Sequence, residues 1–546
     1  MTVLDSPREA ERASSRRRDV AIVAVVTLVA RLATRAGHPT EWDSANLTLG
    51  VGGFDVVERT PHAPGYWLYV RLGALADVLT PLDAHDSLVL VAAITSAAGA
   101  AIAFVVLADL VPRPVALAGA ALVATNPIAW FYGSIAATYG FDALAAVALV
   151  WLVVRARPGG TELMWAAVVV GLSSGFRPSI AVLYAPAVLL IAARCVRTPA
   201  HLIRPIAAGA AATSVWLIPL ALEQPGGLGA WLETTQDIWS DASRVTSTLE
   251  GGPEAAANRR NTFVQSVLVV SAAIPIVGLW VAGRLAGGGA APDPRRRLAA
   301  FGIAAVALPP LLVAGLVHFP KAGYLLSYSP VLLLGAALAV GSLVGHWQRL
   351  GVVALGLAAF VQAALFLSTD ALLPARLEGV VPSPFDDTAA GAPYAYTWAE
   401  IRRVDREGDA FARLADELEP GRDVVLFAAD NGGYRFRQAT ALIRDVPVYY
   451  ALTTIVAEPR VDTISIDGAL FELAEGRFDA PADRVEVPDG GRVVVVLDVP
   501  TGRLPDREAA GSATRRPLAD PPPALDFVDP GIWVLDPTGD PLELWR

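Results

Sequence analysis

Residues 16–34, "RRRDVAIVAVVTLVARLAT", run almost directly into residues 41–68, "EWDSANLTLGVGGFDVVERTPHAPGYWL". The first stretch is an arginine cluster followed by a nearly continuous apolar segment, the pattern of a helix entering a bilayer from its basic side. The second is polar and rich in turn formers: Asp43 follows Trp42, His62 sits between Pro61 and Pro64, and Pro64-Gly65-Tyr66 makes a turn. No small-residue cleavage site follows the apolar run cleanly, so it is expected to remain as a first membrane helix. A polar loop placed directly after the first crossing invites a functional explanation.

The rest of the chain repeats the first half of this pattern. Of 546 residues, 54% are hydrophobic and only 18% charged, and the mean hydropathy is +0.47. Apolar runs lie near 19–35, 88–111, 114–130, 138–155, 161–174, 178–194, 203–221, 263–284, 298–317, 324–345 and 350–369. With roughly 20 residues needed per span, this gives about eleven crossings and a mainly α, polytopic membrane protein. The single cysteine, Cys195, excludes an intrachain disulfide framework. A net charge of -10 argues against nucleic acid as a partner, since phosphate neutralisation needs a basic patch.

Arginines orient the spans. With the N-terminus inside, the inner loops collect Arg16, Arg17, Arg18, Arg113, Arg155, Arg157, Arg194, Arg197, Arg204, Arg284, Arg295, Arg296, Arg297 and Arg349, while the outer loops hold few. The positive-inside rule then places the C-terminal region outside the cell membrane. The expected domains are a cytoplasmic tail (1–18), a transmembrane domain (19–370) with long outer loops at 36–87 and 222–262, an extracytoplasmic α/β domain (371–500), and a Pro-rich linker with a tail (501–546). Residues 64–80 suit a helix lying in the interface. The 222–262 loop is expected to pack partly on the membrane surface through Trp231, Leu232 and Trp239. In the outer domain, 406–421 and 432–444 read as helices, and 422–430, 446–452 and 491–500 as strands.

Polar side chains collect at the outer ends of these spans: Asp43, Asp55 and His62; Tyr132, Thr138 and Tyr139; Arg177; Asp237, Asp241 and Arg244; His318, Lys321 and Tyr324. Taken singly, each has a plain explanation. Asp43 before helix formers reads first as an N-cap, and His62 fits turn closure. Arg177 and Lys321, the chain's only lysine, fit snorkelling anchors. Trp42, Tyr66, Trp67, Trp130 and Tyr324 fit an aromatic belt. Their shared face favours a site for a charged, lipid-tethered substrate.

These residues resemble the GT-C membrane glycosyltransferases, and most closely the O-mannosyltransferase-like branch. Asp43-Ser44-Ala45-Asn46, Gly50, and His62-Ala63-Pro64-Gly65-Tyr66-Trp67-Leu68-Tyr69 are similar to a D-S-G-E, G, H-P-P-G-Y-P-L-Y loop. "NPIAWFYGSIAATYGFDAL" is similar to a W-x-x-S-x-x-A-E-x-Y turn, "GLSSGFRPS" to G-x-x-x-G-x-R-P, and "HFPKAGYLLSYSP" to G-Y-x-L-x-x-x-P. The chain departs where the second loop acid of the pattern falls on Asn46 and the later acid on Ala137, with Asp142 a helical turn further on.

The resemblance implies transfer of a sugar, a mannose-like hexose, from a polyprenyl-phosphate donor to an acceptor hydroxyl of a protein, lipid or glycan, with inversion. Asp43 is the expected general base. Arg177 and Lys321 are expected to meet the leaving phosphate, with Arg244 and His62 in support, and Tyr139 and Tyr324 to bind sugar or phosphate oxygens. Asn46, Asp55, Asp142 and His318 are supporting candidates. Asp43 is expected to converge with Arg177 and Lys321 on one outer cavity. No cofactor or metal site is indicated, though a divalent ion at Asp43 and Asp55 stays open. The alternative is a lipid or solute transporter or flippase, which would carry its ionisable residues near the midplane.

Overall fold

The computed structural model describes residues 7–291, 293–318, 321–368, 396–430, 440–443, 445–453, 470–473, 481–482, 492–498, 514–516 and 532–535. The chain forms two compact units, one of Met1–Arg35, Tyr66–Pro384 and Ala389–Glu400, the other of Ala36–Gly65, Phe385–Thr388 and Ile401–Arg546.

The first unit is helical, and each apolar run contains a helix. Ala84–Ala108, Pro199–Glu223, Ala255–Leu285, Pro294–Leu316 and Gly345–Leu367 are long and apolar enough to cross a membrane. Their outward faces are as apolar as their packed ones: Val353, Leu357 and Phe360 on the last helix are 60–69% exposed. A helix that is hydrophobic all round is stable only with hydrocarbon on its open side, so this is a membrane protein. Arg113–Ala124, Glu162–Phe176, Ala185–Cys195 and Ser329–Gly341 are shorter apolar helices. Tyr139–Arg155 is almost wholly buried, enclosed by the 84–108, 162–176 and 294–316 helices and the 322–327 turn.

Several expected boundaries move for local reasons. The 114–130 run is two helices, because Asn126 caps a new start at Pro127–Tyr132 by accepting the Ala129 amide at 3.2 Å. The first helix begins at Pro7, inside the expected tail, and Arg16 there pairs with Asp109 at 2.7 Å. The stretch 222–262, expected as an outer loop, is largely helical. Gly226 and Gly227 turn at φ +76° and +68° into a helix over Gly227–Thr246 that buries Trp231 and exposes Leu232 and Trp239. Residues 64–80 hold the helix Trp67–Leu79.

The second unit carries a seven-stranded sheet: β1 Asp423–Asp430, β2 Val448–Thr453, β3 Leu470–Leu473, β4 Pro481–Ala482, β5 Arg492–Asp498, β6 Thr514–Arg516 and β7 Ile532–Leu535, in the order β4-β3-β2-β1-β5-β7-β6. β1 lies parallel to β2 and β5 with Val425 opposite Val448 and Val494, and the edges are antiparallel. This fits the strand sequences: buried Val424, Val425, Val448 and Val494 form the short continuous apolar runs of a covered parallel centre. Strands β6 and β7 fall in the stretch expected to be linker and tail. Most of the expected 432–444 helix lies outside the described residues.

Residues 36–65 belong to this second unit, not with the neighbouring spans. The helix Trp398–Glu417 supplies Asp405, which accepts the amides of Gly37 and His38 at 2.9 and 3.2 Å, and Asp409, 2.9 Å from His38 Nε2. Burial pushes the Asp405 carboxyl up to about 6.

Candidate functional site

In the second unit the opening loop folds around a short helix. Glu41 is extended, φ -145°, and the helix Trp42–Gly52 follows with Asp43 in its first turn. The N-cap is therefore Glu41, and Asp43 is not a cap. A carboxylate in a first turn is favoured by the helix dipole. Gly50 lies two turns further on the same face, where a Cβ would come within 2.7 Å of Pro61 Cδ. Lacking one, Gly50 lets the returning loop lie against the helix, and the next residue, His62, reaches Asp43 with Nε2 3.3 Å from Oδ1. Both side chains remain about one-sixth exposed, at 16% for Asp43 and 17% for His62.

The loop is built for this return. Asp55 and Thr60 exchange backbone hydrogen bonds of 2.7 and 2.8 Å, and the Asp55 carboxylate accepts the Val57 amide at 2.9 Å. Asp55 thus shapes the turn. Gly65 sits at φ +90°, where a Cβ would strike Val56 and Phe54 at 2.7 and 2.8 Å. Asn46, one helical turn beyond Asp43, is fully buried, with neither amide atom hydrogen-bonded among the described residues.

In the helical unit a second cluster forms around Arg177. Arg177 ends the Glu162–Phe176 helix in an extended conformation, φ -151°, and Pro178 forbids helical continuation. Its Nη1 donates to Asp142 Oδ2 at 2.6 Å, and the two side chains are 6% and 3% exposed. Arg177 is therefore a buried ion pair, not a snorkelling anchor. The guanidinium carbon lies 4.7 Å from the Tyr139 ring and 4.4 Å from the Tyr324 ring. Tyr139 and Asp142 share a helix face at a spacing of three. Gly323 brings the 322–327 turn against them, since a Cβ there would sit 2.6 Å from the Tyr139 ring. Lys321 Nζ is 5.9 Å from the same ring.

The surroundings extend this cluster. The Tyr184 hydroxyl reaches the Asp142 and Ser327 carbonyls at 3.1 and 2.8 Å. Tyr132 packs edge-on against Tyr139 at 4.7 Å. His318 packs edge-on against Tyr324 at 6.4 Å and holds Thr246 Oγ1 at 2.9 Å through Nδ1. Burial pushes the His318 pKa down to about 4. Arg244 is exposed and pairs with Asp241 on its own helix. Within the helical unit the structure thus brings together Arg177, Tyr139, Tyr324, Lys321 and Asp142, with His318 at the border; within the second unit it brings Asp43 to His62. Sequence reasoning missed Tyr184, although a lone tyrosine in the run "AVLYAPAVL" already signals a buried hydroxyl that needs partners.

Comparison with known proteins adds the following. The family model described as the protein O-mannosyl-transferase TMEM260 N-terminal domain matches residues 57–198, which include His62, Tyr139, Asp142 and Arg177. No curated protein matches the chain in sequence. Among solved structures, ArnT from Cupriavidus metallidurans bound to undecaprenyl phosphate aligns at TM-score 0.53 and 13% identity, covering 95% of this chain and 97% of that one. The apo state of the same ArnT aligns at TM-score 0.45 and 13% identity, over 80% and 93% of the two chains. The Archaeoglobus fulgidus oligosaccharyltransferase in the apo form aligns at TM-score 0.44 and 10% identity, over 81% and 65%. The chain therefore has the fold of ArnT, the GT-C arrangement expected from its motifs.

Proposed function

We propose that this protein is a membrane glycosyltransferase that moves a sugar, a mannose-like hexose, from a polyprenyl-phosphate donor to an acceptor hydroxyl on the extracytoplasmic side. The observation that carries the reading is the Asp43–His62 pair: a carboxylate 3.3 Å from an imidazole, both partly open, beside a first-turn helix dipole. A neutral hydroxyl is a weak nucleophile, so a positioned base must take its proton as the oxygen attacks. Asp43 takes that proton, and His62 orients the carboxylate. As the new C–O bond forms at the anomeric carbon, the bond to the phosphate oxygen breaks from the opposite face, which inverts the centre.

The leaving group gains one negative charge, passing from a phosphodiester to a phosphomonoester. Cations aimed at that growing charge lower the barrier. Arg177 and Lys321 have this role, with Tyr139 and Tyr324 offering hydroxyls to sugar or phosphate oxygens. A lipid-linked donor is supported by the shared fold with a protein solved with undecaprenyl phosphate, and a mannosyl donor by the family model over 57–198. The arginine distribution supports about eleven crossings, an inner N-terminus and an outer C-terminal unit.

The test is incubation of the purified chain with a panel of prenyl-phosphate sugars and candidate acceptors, scoring prenyl phosphate released. Release with a mannosyl donor that requires acceptor is expected. No release from any sugar donor under conditions where the donor binds would overturn the reading.

A further inference from the structure

We propose that Asp405 is a positioning residue for the transfer reaction: by gripping the main chain at Gly37 and His38 it fixes where the Asp43 carboxylate stands. This rests on the reading of Asp43 as the base that takes the acceptor proton. It gives the C-terminal part of the second unit a share in the chemistry.

The grip comes from one face of one helix. Asp405, Gly408 and Asp409 lie at positions i, i+3 and i+4 of Trp398–Glu417. A single oxygen of Asp405, Oδ1, accepts two consecutive amides, Gly37 at 2.9 Å and His38 at 3.2 Å. The His38 ring lies along the same face, with Nε2 2.9 Å from Asp409 Oδ1. Gly408 makes room for that ring, since a Cβ there would stand 2.5 Å from His38 Cβ and Cγ. Ile401 and Val404 of the same helix are fully buried and anchor it. A carboxylate that accepts backbone amides makes the stronger, charge-assisted kind of hydrogen bond. Because its partners are main-chain groups, it sets the course of the chain and not merely one side chain.

Little chain is left to absorb a shift between the grip and the base. Pro39, Thr40, Glu41 and Trp42 separate His38 from Asp43. Proline fixes its own φ, Thr40 and Glu41 are buried, and Glu41 is fully extended at φ -145° and ψ 169°. Trp42 then opens the helix that carries Asp43 in its first turn. From the other side Asp43 is met by His62 at 3.3 Å. That contact closes the loop on itself, whereas Asp405 ties the loop to a helix far along the sequence. A base works only within hydrogen-bond reach of the hydroxyl it serves, and a misplacement of about 1 Å can cost about 10²-fold in rate.

The test uses the full-length chain in detergent, with a mannosyl prenyl phosphate as donor. Asp405→Leu removes the acceptor of both amides, and Asp405→Asn keeps an oxygen to accept them. Each is made alone and together with Asp43→Asn. In Asp405→Leu, hydrogen–deuterium exchange over residues 36–52 should quicken by about tenfold or more, while the Tyr139–Arg155 helix exchanges as in wild type. Its kcat should fall about 10–100-fold, with the donor KM moving by less than about twofold. Asp405→Asn should restore most of both. In the Asp43→Asn background Asp405→Leu should cost nothing further, because no base is left to misplace. Should Asp405→Leu fail to fold, Gly408→Ala replaces it, pressing on the His38 ring without touching the Asp405 carboxylate, with the same pattern expected. Equal losses of kcat with and without Asp43 would overturn the proposal, leaving Asp405 a clasp for stability and the base reading intact. Unchanged exchange over 36–52 would overturn it whatever the turnover. Near-normal turnover of Asp43→Asn would overturn the base reading and this proposal with it.

Discussion

Two of the molecule's carboxylates, Asp43 and Asp142, meet basic partners in opposite circumstances. Asp43 faces an imidazole at 3.3 Å with both groups partly exposed, whereas Asp142 is locked to Arg177 at 2.6 Å with both groups nearly sealed. Being partly open, the Asp43 carboxylate can reach a substrate hydroxyl and take its proton. A guanidinium does not titrate, so Asp142 is a fixed counter-ion. The difference separates a candidate base from a group that positions a cation.

Substituting one acid and then the other should separate the roles most sharply. Asp43→Asn is expected to lower turnover by about 10²–10⁴-fold, the usual worth of a positioned base, without changing the melting temperature. Near-normal turnover would remove Asp43 from the reaction. Arg177→Met should lower turnover and, unlike Asp43→Asn, also cost stability, about 3–5 kcal/mol, because it leaves the Asp142 charge buried and unpaired. The double variant Asp142→Leu with Arg177→Met should regain most of that loss in denaturant titrations. A double variant as unstable as the single one would show that the pair is not what the fold depends on.

The glycines that allow close packing within each cluster, Gly50 in one and Gly323 in the other, should give smaller effects. Gly50→Ala meets Pro61 at 2.7 Å and Gly323→Ala meets the Tyr139 ring at 2.6 Å, each expected to cost about 1–3 kcal/mol by overpacking. Gly50→Ala should also reduce turnover by moving His62 from Asp43, and unchanged turnover would speak against that route. An effect of similar size concerns pH. His318 titrates near 4 in the folded chain against an ordinary 6.5, so the unfolded chain takes up its proton first. Its stabilising contribution is complete above about 6.5 and is lost as the pH falls toward 4, an amount of about 1–3 kcal/mol. His318→Gln should flatten that part of the stability profile, and an unchanged profile would assign the slope to another group.

The helical unit was legible in advance because lipid imposes a one-dimensional rule. Every span must be apolar over its whole length, and that shows in runs such as 84–108 and 345–367 without knowledge of any neighbour. Boundaries slipped where a local cap overrode composition, as at Asn126. The helix 227–246 is not legible as one in the sequence because its paired glycines and polar face hide one apolar stripe. The sheet was half legible: β1 and β5 announce themselves by valine runs and β2 by its β-branched and aromatic residues, whereas β6 and β7 lie among prolines and arginines and are strands only through their pairing.

Of the site, the sequence by itself determined the residue types and their motifs: Asp43, His62, Arg177, Lys321 and Tyr324 stand in patterns readable without coordinates. Only the tertiary structure decided who meets whom, because Asp142 and Arg177, or Gly50 and Pro61, are distant in sequence and their contact depends on how helices and loops pack. It also decided that residues 36–65 fold with the C-terminal unit, through backbone amides of Gly37 and His38 held by Asp405. Hydropathy reports what surrounds a segment, and a hydrogen bond between residues hundreds of positions apart leaves no trace in it.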